Sequence, residues 1–309
     1  KVFAVGGFVR DIILGRERSD LDILVIGSGV EFAKSVADKL RINNVNYFNN
    51  FGTAHFNFDN MSIEFVGARK ESYDRNSRKP IVEDGSFEDD ISRRDFTINT
   101  LAISLNKKDF GKLIDIYDGY NHINNQVIKT PLDPKKTFED DPLRIMRAFR
   151  FSSQLNFKVD ESIIIASREM RERLSIVSQE RITDEFLKII ASPKPSIGLK
   201  LLFDSGVLEI VFPEIAVMAG VDQRKDYHHK DVFLHTLQVV DNISIETNNI
   251  WLRFAALVHD IAKPPTKKFV EGIGWTFHGH EELGARMIKK IFHRMKLPLH
   301  QLEYIQKLV

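Results

Sequence analysis

The sequence feature that most constrains this chain is a pair of aspartates inside an apolar run, Ser19-Asp-Leu-Asp-Ile-Leu-Val-Ile26. The run predicts a short β-strand, and residues two apart on a strand point to the same face. Asp20 and Asp22 would therefore lie side by side, where their charges repel unless a cation lies between them. Carboxylate oxygens suit Mg²⁺, which completes its coordination with phosphate and water. The alternative is two solvated aspartates at a strand edge.

A glycine pair just upstream favours a phosphate ligand beside these aspartates. Gly6 and Gly7 allow a close backbone approach, and consecutive N–H groups can bind phosphate. Arg10 supplies a planar, forked cation for phosphate oxygens. Glu64, in the strand-like run Ile63-Glu64-Phe65-Val66, is a candidate third carboxylate, either in the metal site or as a general base. Taken alone, Glu64 would more often be an outward-facing strand residue.

Composition excludes several classes of protein. The chain has 309 residues, enough for two or three domains, and no cysteine, which excludes disulfides and thiolate zinc sites. We find no apolar run long enough to span a bilayer and no signal-peptide pattern in these residues, so we predict a cytoplasmic protein without a membrane partner. The 44 basic and 43 acidic residues nearly cancel, so local charge clusters decide any nucleic-acid binding.

The first 130 residues have the mixed periodicities of an α/β region. Short or alternating apolar runs predict strands, and a 3.6-residue periodicity predicts helices. The predicted strands are Val2–Val5, Leu21–Ile26, Thr53–Phe58 and Ser62–Val66, and the predicted helices are Val9–Leu14 and Val30–Leu40. The polar segment 67–92 predicts a long loop, and loops of that length are usually functional or disordered.

From about residue 138 the pattern is helical. Asp141-Pro142 is typical of a helix start, Glu180–Ile190 is amphipathic, and Ser192-Pro193-Lys194-Pro195 predicts a break. Residues 196–309 are again helical in pattern. Because Lys1 leads directly into a strand and Val309 ends an unfinished helical pattern, we expect the biological chain to continue at one or both ends.

A second polar motif, Arg93-Arg94-Asp95-Phe96-Thr97-Ile98-Asn99, follows the predicted loop. Adjacent arginines suit a triphosphate through charge and bidentate hydrogen bonds. Asp95 and Asn99 are four residues apart, so we expect them to share one helix face. A capped helix start with solvated arginines is the alternative for this motif alone.

A third motif places charges at every third position of a predicted helix: Asp141, Arg144, Arg147 and Arg150. A carboxylate accepts from an exocyclic amine, while an arginine donates to ring nitrogen and carbonyl oxygen. Together they could recognise the Watson–Crick edge of cytosine or adenine, a strongly discriminating kind of contact. The alternative is a ladder of i,i+3 salt bridges on a surface helix.

Taken together, these segments resemble the class II tRNA nucleotidyltransferase and bacterial poly(A) polymerase family, from about Val2 to Ile190. Gly6-Gly7-x-x-Arg10-Asp11 with Asp20-x-Asp22 is similar to the family's metal and triphosphate motif. The Arg93–Asn99 segment resembles its sugar and phosphate motif, and the Asp141–Arg150 segment resembles its amino-acid template for the incoming base. Glu180-Arg181-Ile182-x-x-Glu185 is similar to a later motif that supports the template. Asp140 departs from the family, which usually has Glu there.

The resemblance implies an α+β fold class with three domains. These are a nucleotidyltransferase-fold head with a small mixed sheet (1–130), a helical neck with the base pocket and RNA-binding region (131–195), and a helical body (196–309). It implies Mg²⁺ on Asp20 and Asp22. The implied nucleotide-binding residues are Gly6, Gly7, Arg10, Arg94, Asp95, Asn99, Asp141, Arg144, Arg147 and Arg150.

The implied reaction is attack of the tRNA 3′-hydroxyl on the α-phosphate of CTP or ATP, with pyrophosphate leaving. In family members that add the terminal A, a flexible loop after the metal motif takes part in the switch from C to A. Residues 71–86 occupy that place here, which favours full CCA addition over CC-only addition. The sequence sets no oligomeric state.

A histidine-rich region near the C-terminus, about 225–309, resembles the HD phosphohydrolase superfamily. His235, the adjacent pair His259-Asp260, and His280 are candidate ligands for a second, transition-type divalent metal. His278 competes with His280, and we favour His280. The superfamily's final aspartate is not identifiable before Val309, and a helical domain whose histidines serve packing is the alternative.

Three rival functions remain open at this stage. A poly(A) polymerase on the same scaffold is the nearest, and a phosphohydrolase acting on phosphate esters through the HD region is the second. The third is a non-catalytic RNA-binding module, which the Asp20-x-Asp22 pair disfavours because metal-free carboxylates repel RNA phosphate.

Overall fold

The computed structural model describes residues 1–48, 52–72, 81–221 and 231–309. The chain forms two compact units, Lys1–Asp140 and Asp141–Val309. No helix in these described ranges is long and apolar enough to cross a membrane. The finer division into head, neck and body, with a boundary near 195, stays a prediction.

The first unit contains a mixed sheet with short helices, as expected for an α+β protein. Its strands are β1 (Val2–Val5), β2 (Asp20–Val25), β3 (Asn46–Phe48), β4 (Thr53–Phe58), β5 (Met61–Gly67), β6 (Arg69–Ser72), β7 (Ile81–Asp84), β8 (Ala102–Ser104), β9 (Leu113–Ile114) and β10 (Val127–Ile128). Its helices are α1 (Gly7–Ile13), α2 (Gly29–Leu40), α3 (Phe87–Ser92), α4 (Gly119–Asn124) and α5 (Pro134–Asp140), and Thr97–Asn99 forms a 3₁₀ turn.

Seven strands form the main sheet in the order β3-β4-β5-β2-β1-β8-β9. β2 and β5 pair in parallel, and the other neighbours pair antiparallel. Alternation along β2 sends Ile23 and Val25 into an apolar core that includes α2 residues. Leu24 enters a second core on the opposite face, with Ile91 of α3. Asp20 and Asp22 lie on the same face of the sheet as Leu24. This is the face on which α3 packs, and the two aspartates lie toward the start of β2.

The predicted loop at 67–92 is wrong over much of its length. β6 and β7 form an antiparallel ladder from Arg69 opposite Asp84 to Ser72 opposite Ile81. Helix α3 follows, begun by a capping box between Ser86 and Asp89. The charged sequences of the two strands lack an apolar alternation, which is why the pattern predicted a loop. Residues 73–80, the centre of the segment expected to act in the C-to-A switch, lie outside the described residues.

The second unit is helical, with a few short strands. Its helices are α6 (Leu143–Leu155), α7 (Glu161–Met170), α8 (Gln179–Ile190), α9 (Pro195–Asp204), α10 (Leu208–Val211), α11 (Pro213–Ala216), α12 (Val232–Glu246), α13 (Ile250–Val258), α14 (Lys263–Thr266), α15 (His280–Arg294) and α16 (Leu302–Leu308). Its strands are β11 (Lys158–Val159), β12 (Lys268–Val270) and β13 (Gly274–Thr276), and Arg171–Ile176 and Leu299–Gln301 are 3₁₀ turns.

The predicted break at Ser192-Pro195 is confirmed, since α8 ends at Ile190 and α9 begins at Pro195. The chain remains packed across this break, because α9 contacts both α6 and α12. The buried guanidinium of Arg253 donates to the carbonyl oxygens of Ile190 and Ser192 at 3.2 and 2.9 Å. Burial among these neutral acceptors lowers the pKa of Arg253.

Candidate active site and metal centre

The paired strands β2 and β5 bring two carboxylates to one cavity in the first unit. In the sheet register, Asp22 lies opposite Glu64 on one side and Val5 on the other. The cavity has a volume of about 190 Å³, and its polar lining consists of Asp22, Glu64, Thr53, Arg69, Arg93 and Arg94. Asp20 stands exposed at the start of β2, where its Oδ2 accepts from Ser19 Oγ at 2.8 Å. The lining of the cavity therefore combines two carboxylates with three guanidinium groups.

Both cavity carboxylates hold protons more tightly than usual. Burial is the main cause of the raised pKa of Asp22; the charge of Asp20 raises it further, and Arg94 opposes both. Burial also raises the pKa of Glu64, as does the charge of Asp22, while His55 and Arg69 lower it. A divalent cation beside Asp22 would remove this electrostatic cost, so the donor chemistry fits Mg²⁺.

The three carboxylates are not equivalent as metal ligands. Among the described residues, the ligand atoms of three or more acidic or histidine side chains come within 4.8 Å of one another only at His235, His259 and Asp260. Asp20, Asp22 and Glu64 do not meet that distance as a set. Mg²⁺ uses one or two carboxylates together with phosphate and water, so an Asp20–Asp22 site remains suitable. Glu64 fits better as a neighbouring base.

Gly6 allows the backbone to pass close to this cavity. Its φ of +75° lies where only glycine is unstrained. A Cβ at Gly6 would lie 3.0 Å from Nη1 of Arg94 and 3.3 Å from Oδ2 of Asp22. The backbone at Gly6 therefore lies close to the site's own side chains, and the expected approach of the glycine pair to phosphate stays a prediction.

Arg10 is buried, and its hydrogen bonds link the glycine motif to the Arg93–Asn99 motif. Its Nε and Nη2 donate to Asp11 at 2.9 and 2.8 Å, and its Nη1 donates to Oδ1 of Asn99 at 2.8 Å. Asn99 in turn donates from Nδ2 to Oδ1 of Asp95 at 2.9 Å. Arg10 thus braces the glycine turn against the Arg93–Asn99 motif, and its direct contact with phosphate stays a prediction.

The predicted helix face for Asp95 and Asn99 is wrong. Asp95 precedes the 3₁₀ turn Thr97–Asn99, and its Oδ1 also accepts from the N–H of Phe96 at 2.8 Å. The two side chains meet because this local turn brings them together. Both residues are buried.

Asp90 is a residue that sequence reasoning missed. It is completely buried in α3 and bonds to both Arg93 and Arg94. Its spacing of three and four residues from these arginines on a helix is the signal that could have identified it. Nε of Arg94 is buried without a hydrogen-bond partner among the described residues.

The charged stripe of the third motif lies on α6 in the second unit. Asp141 lies just before this helix: its Oδ1 accepts from the N–H of Leu143 at 3.1 Å, and its Oδ2 lies 3.3 Å from Nη2 of Arg181. Nε of Arg150 lies 2.9 Å from Oε2 of Glu185 on α8. The first and last residues of the stripe, Asp141 and Arg150, therefore form ion pairs with Arg181 and Glu185 of α8. This helix carries the motif expected to support the template.

Arg144 and Arg147 lie between these two residues. Both are partly exposed, and the guanidinium of Arg147 lies 5.6 Å from the ring centre of Phe151. Arg150 stacks on the same ring at 4.3 Å. The side chains expected to contact a base thus share one face of α6, with Asp141 at its start.

The candidate metal ligands of the HD-like region, here called the HD residues, lie around Asp260 in the second unit. They are His235, His259, Asp260 and His280. Ligand atoms of His235, His259 and Asp260 lie within 4.8 Å of one another. Nε2 of His259 is 3.2 Å and Nζ of Lys263 is 2.7 Å from Oδ2 of Asp260. Nε2 of His280 is 3.8 Å from its Oδ1. His278 is exposed, and residues 228–229 lie outside the described part of the chain.

The HD residues also have the surroundings of metal ligands. His259 Nδ1 lies 2.8 Å from the carbonyl oxygen of Ala256, which fixes the ring with Nε2 toward Asp260. Burial alone would raise the pKa of Asp260, but His259 and Lys263 lower it to about 2. Burial lowers the pKa of His259, but Asp260 outweighs it and the pKa is raised. An ionised carboxylate with two imidazoles suits a divalent transition metal.

Three known family models match successive parts of the chain. Residues 2–129 match the poly A polymerase head domain. Residues 156–218 match the probable RNA and SrmB-binding site of polymerase A, and residues 226–309 match the HD domain. The fold and the cavity therefore define a nucleotidyltransferase head followed by helical RNA-binding and HD regions.

Curated relatives agree with this class. A multifunctional CCA protein of Vibrio parahaemolyticus is 30% identical over 318 residues, which is 96% of this chain and 71% of the relative. An A-adding tRNA nucleotidyltransferase of Aquifex aeolicus is 45% identical over 162 residues, covering 52% of this chain and 19% of the relative. The chain spans only about a fifth of that relative and about a quarter of a similar one from Geobacter sulfurreducens.

Solved structures show the same fold. A tRNA nucleotidyltransferase complexed with a primer tRNA and an incoming ATP analog superposes with a TM-score of 0.71 at 28% identity. The alignment covers 99% of this chain and 80% of that one. The chain belongs to the tRNA nucleotidyltransferase family, which contains CCA-adding and A-adding enzymes. The family resemblance and the fold class predicted from the sequence are thus confirmed.

Proposed function

We propose that this chain adds CCA to the 3′ end of tRNA, using CTP and ATP and releasing pyrophosphate. The observation that carries the proposal is that Asp22, Glu64, Arg93 and Arg94 line one cavity. Acidic residues for a divalent cation and arginines for phosphate are what in-line nucleotidyl transfer requires. The relatives named CCA protein and the relative crystallised with tRNA support the choice of substrate.

The transfer forms one P–O bond and breaks another. The 3′-hydroxyl oxygen of tRNA attacks the α-phosphorus, and the bond from that phosphorus to the bridging oxygen of the β-phosphate breaks. Glu64 accepts the hydroxyl proton, a task for which its raised pKa suits it. Asp20 and Asp22 would hold Mg²⁺, which would supply stabilisation for the negative charge on the phosphoryl oxygens. Arg93 and Arg94 bind the triphosphate and the departing pyrophosphate.

Base selection is assigned to the stripe on α6. Asp141 accepts from the exocyclic amine that cytosine and adenine share, and Arg144 donates to the neighbouring ring atoms. The ion pair between Asp141 and Arg181 holds the carboxylate in place at 3.3 Å. Such hydrogen-bonded selection excludes bases that cannot make the same pairs.

Addition of the terminal A alone is the second candidate, because two relatives are named A-adding enzymes. The test uses purified protein, Mg²⁺ and three tRNAs that end before C74, after C74 or after C75. Each is incubated with CTP, with ATP, or with both. CCA addition predicts C incorporation into the two shorter tRNAs and a single A on the longest one. Extension of only the longest tRNA would establish A addition, and a long A tail would establish a poly(A) polymerase.

We also propose a hydrolytic activity on phosphate esters at the HD residues. The cluster of His235, His259 and Asp260 supports it, with the HD family match at 226–309. Its test is hydrolysis of a chromogenic phosphate ester in the presence of Mn²⁺, Ni²⁺ or Co²⁺. Hydrolysis that persists in His259→Ala would refute the assignment.

A further inference from the structure

Asp90 is a buried carboxylate to which the proposed reaction gives no role. It lies in α3, and its side chain has no exposed surface. Its Oδ1 accepts from Nε and Nη2 of Arg93 at 3.2 and 2.5 Å. Its Oδ2 accepts from Nη2 of Arg94 at 3.2 Å. Each carboxylate oxygen therefore holds a different guanidinium.

The two arginines line the cavity of Asp22 and Glu64, whereas Asp90 does not. Their like charges repel each other, and each long side chain has many rotamers to lose on binding a ligand. Asp90 offsets the repulsion and orders both groups before a ligand arrives. Each arginine side chain keeps 20% of its surface exposed, and both side chains line the cavity.

Arg94 is fixed from two directions. Nη2 is held by Asp90, and Nη1 lies against the backbone at Gly6, 3.0 Å from where a Cβ would stand. Its buried Nε has no acceptor among the described residues. Asp90 and the close packing at Gly6 thus orient the guanidinium of Arg94 beside the cavity.

We propose that Asp90 is a positioning residue that presents Arg93 and Arg94 to the triphosphate of the incoming nucleotide. This inference rests on the proposed function, since the triphosphate is the ligand of that reaction. Asp90 acts through the two arginines and touches no reacting atom. Preorganised donors improve binding because their ordering cost is met during folding.

The test compares Asp90→Asn with Glu88→Gln, which removes one acidic charge from an exposed position on the same helix. Inorganic tripolyphosphate is the probe, because it has phosphates but no base or sugar. We expect its dissociation constant, measured by calorimetry, to rise about tenfold in Asp90→Asn, equivalent to ~1.4 kcal/mol. KM for both CTP and ATP should rise similarly, and kcat should change less. Glu88→Gln should behave as the wild type.

A double variant separates positioning from simple structural support. In an Arg93→Gln/Arg94→Gln background, Asp90→Asn should cost no further tripolyphosphate affinity, because the groups it orients are gone. Unchanged tripolyphosphate binding in Asp90→Asn, or a further loss in that background, would overturn the inference. If Asp90→Asn does not fold, Asp90→Glu replaces it, since this variant keeps the charge but displaces both arginines. Unchanged binding in that variant would also overturn it.

The binding measurement needs no tRNA, so it separates two failures. A wild-type protein that binds tripolyphosphate but extends no tRNA would refute the proposed function and leave the role of Asp90 testable. A wild-type protein that extends tRNA, with Asp90→Asn equal to it in KM, would refute only the role of Asp90.

Discussion

Asp22 on β2 and Glu64 on β5 are direct neighbours in the parallel register of the sheet, and both line one cavity. Burial is the main cause of the raised pKa of both carboxyl groups; the charge of Asp20 adds to the shift at Asp22, and the charge of Asp22 adds to the shift at Glu64. The repulsion between these charges lowers the free energy of unfolding while the two carboxylates are held close together in the sheet. It makes the pair sensitive to pH and to divalent cations.

Replacing Asp22 by Asn should stabilise the metal-free protein at neutral pH while abolishing catalysis. Because the folded pKa of Asp22 is raised, the native state binds more protons than the unfolded state, and stability falls as pH rises from the ordinary pKa of 3.8 through the folded value. The full penalty applies above the folded pKa, and Asn removes it. Thermal unfolding without divalent ions should show a higher midpoint, and nucleotide addition should fall at least about a hundredfold.

The control for this variant is Asp59→Asn, which alters an exposed acid in the β4–β5 turn of the same unit. It should leave both the unfolding midpoint and the activity near those of the wild type. An Asp22→Asn protein that is less stable than the wild type at pH 7 would contradict the burial argument.

Replacing Glu64 by Gln tests the general base. Since burial and Asp22 raise the pKa of Glu64 above 4.5, activity should increase with pH through a value higher than 4.5 as the carboxylate ionises. In Glu64→Gln, we expect kcat to fall about a hundredfold or more and the acidic limb of the profile to disappear. The profile is measured at saturating Mg²⁺, with the Asp59→Asn protein as control. A Gln variant that keeps the same acidic limb would assign the base elsewhere.

Replacing Gly6 by Ala should damage activity more than stability alone explains. The residue has a φ of +75°, so Ala there carries a strain of about 1–2 kcal/mol, and its Cβ would press on Arg94 and Asp22. Gly15 is the matched control, because its φ is +62° and a Cβ there meets nothing within 4 Å. Both variants should lower the unfolding midpoint, but only Gly6→Ala should raise KM for the nucleotide. Equal KM values in the two variants would contradict a close approach at Gly6.

Replacing Asp141 by Ala should relax the choice of base more than it weakens triphosphate binding. Asp141 belongs to the stripe on α6 and is held by Arg181, at a distance of 3.3 Å. We expect incorporation of the wrong nucleotides to rise about tenfold relative to CTP and ATP, a loss of ~1.4 kcal/mol of discrimination. Arg94→Ala should instead raise KM for both CTP and ATP equally. Equal loss for all four nucleotides in Asp141→Ala would contradict its assignment to the base edge.

Replacing His259 by Ala should abolish metal binding at the HD residues. Removing one of three ligands from a cluster within 4.8 Å should weaken Ni²⁺ or Mn²⁺ binding about a hundredfold or more, as measured by calorimetry. His278→Ala is the matched control, because His278 is exposed and 280 is the preferred ligand position. Asp22→Ala should leave hydrolysis of phosphate esters unchanged. Loss of metal binding in His278→Ala would show that His278, and not His280, is the later histidine ligand.

Local patterns predicted much of the fold. The strands Val2–Val5 and Thr53–Phe58 are found as predicted, and β2 differs from its prediction by one residue at each end. These predictions succeed because the apolar residues of the pattern are the ones that the sheet buries. The hairpin β6–β7 was missed because its charged strands carry no apolar alternation. Pairing between distant segments supplies what a local pattern lacks.

The sequence predicted which residues form the site better than it predicted how their side chains are oriented and protonated. The residue types at Asp20 and Asp22 indicate their chemistry, but the pKa of Asp22 depends on burial and on Arg94, which is remote in sequence. Arg10 was expected to face phosphate, and only the fold shows it bonded to Asn99. Sequence motifs show which residues gather, while the orientation of each side chain depends on the folded neighbours.

The most direct test of the proposed chemistry is extension of a tRNA that lacks its three terminal nucleotides, with CTP and ATP, at increasing Mg²⁺ concentrations, by the wild type and Asp22→Ala. We predict addition of C, C and A by the wild type, dependence on the divalent ion, and no detectable addition by the variant. Extension without divalent ions, or equal extension by Asp22→Ala, would contradict the assignment of Asp20 and Asp22 as the metal-binding pair.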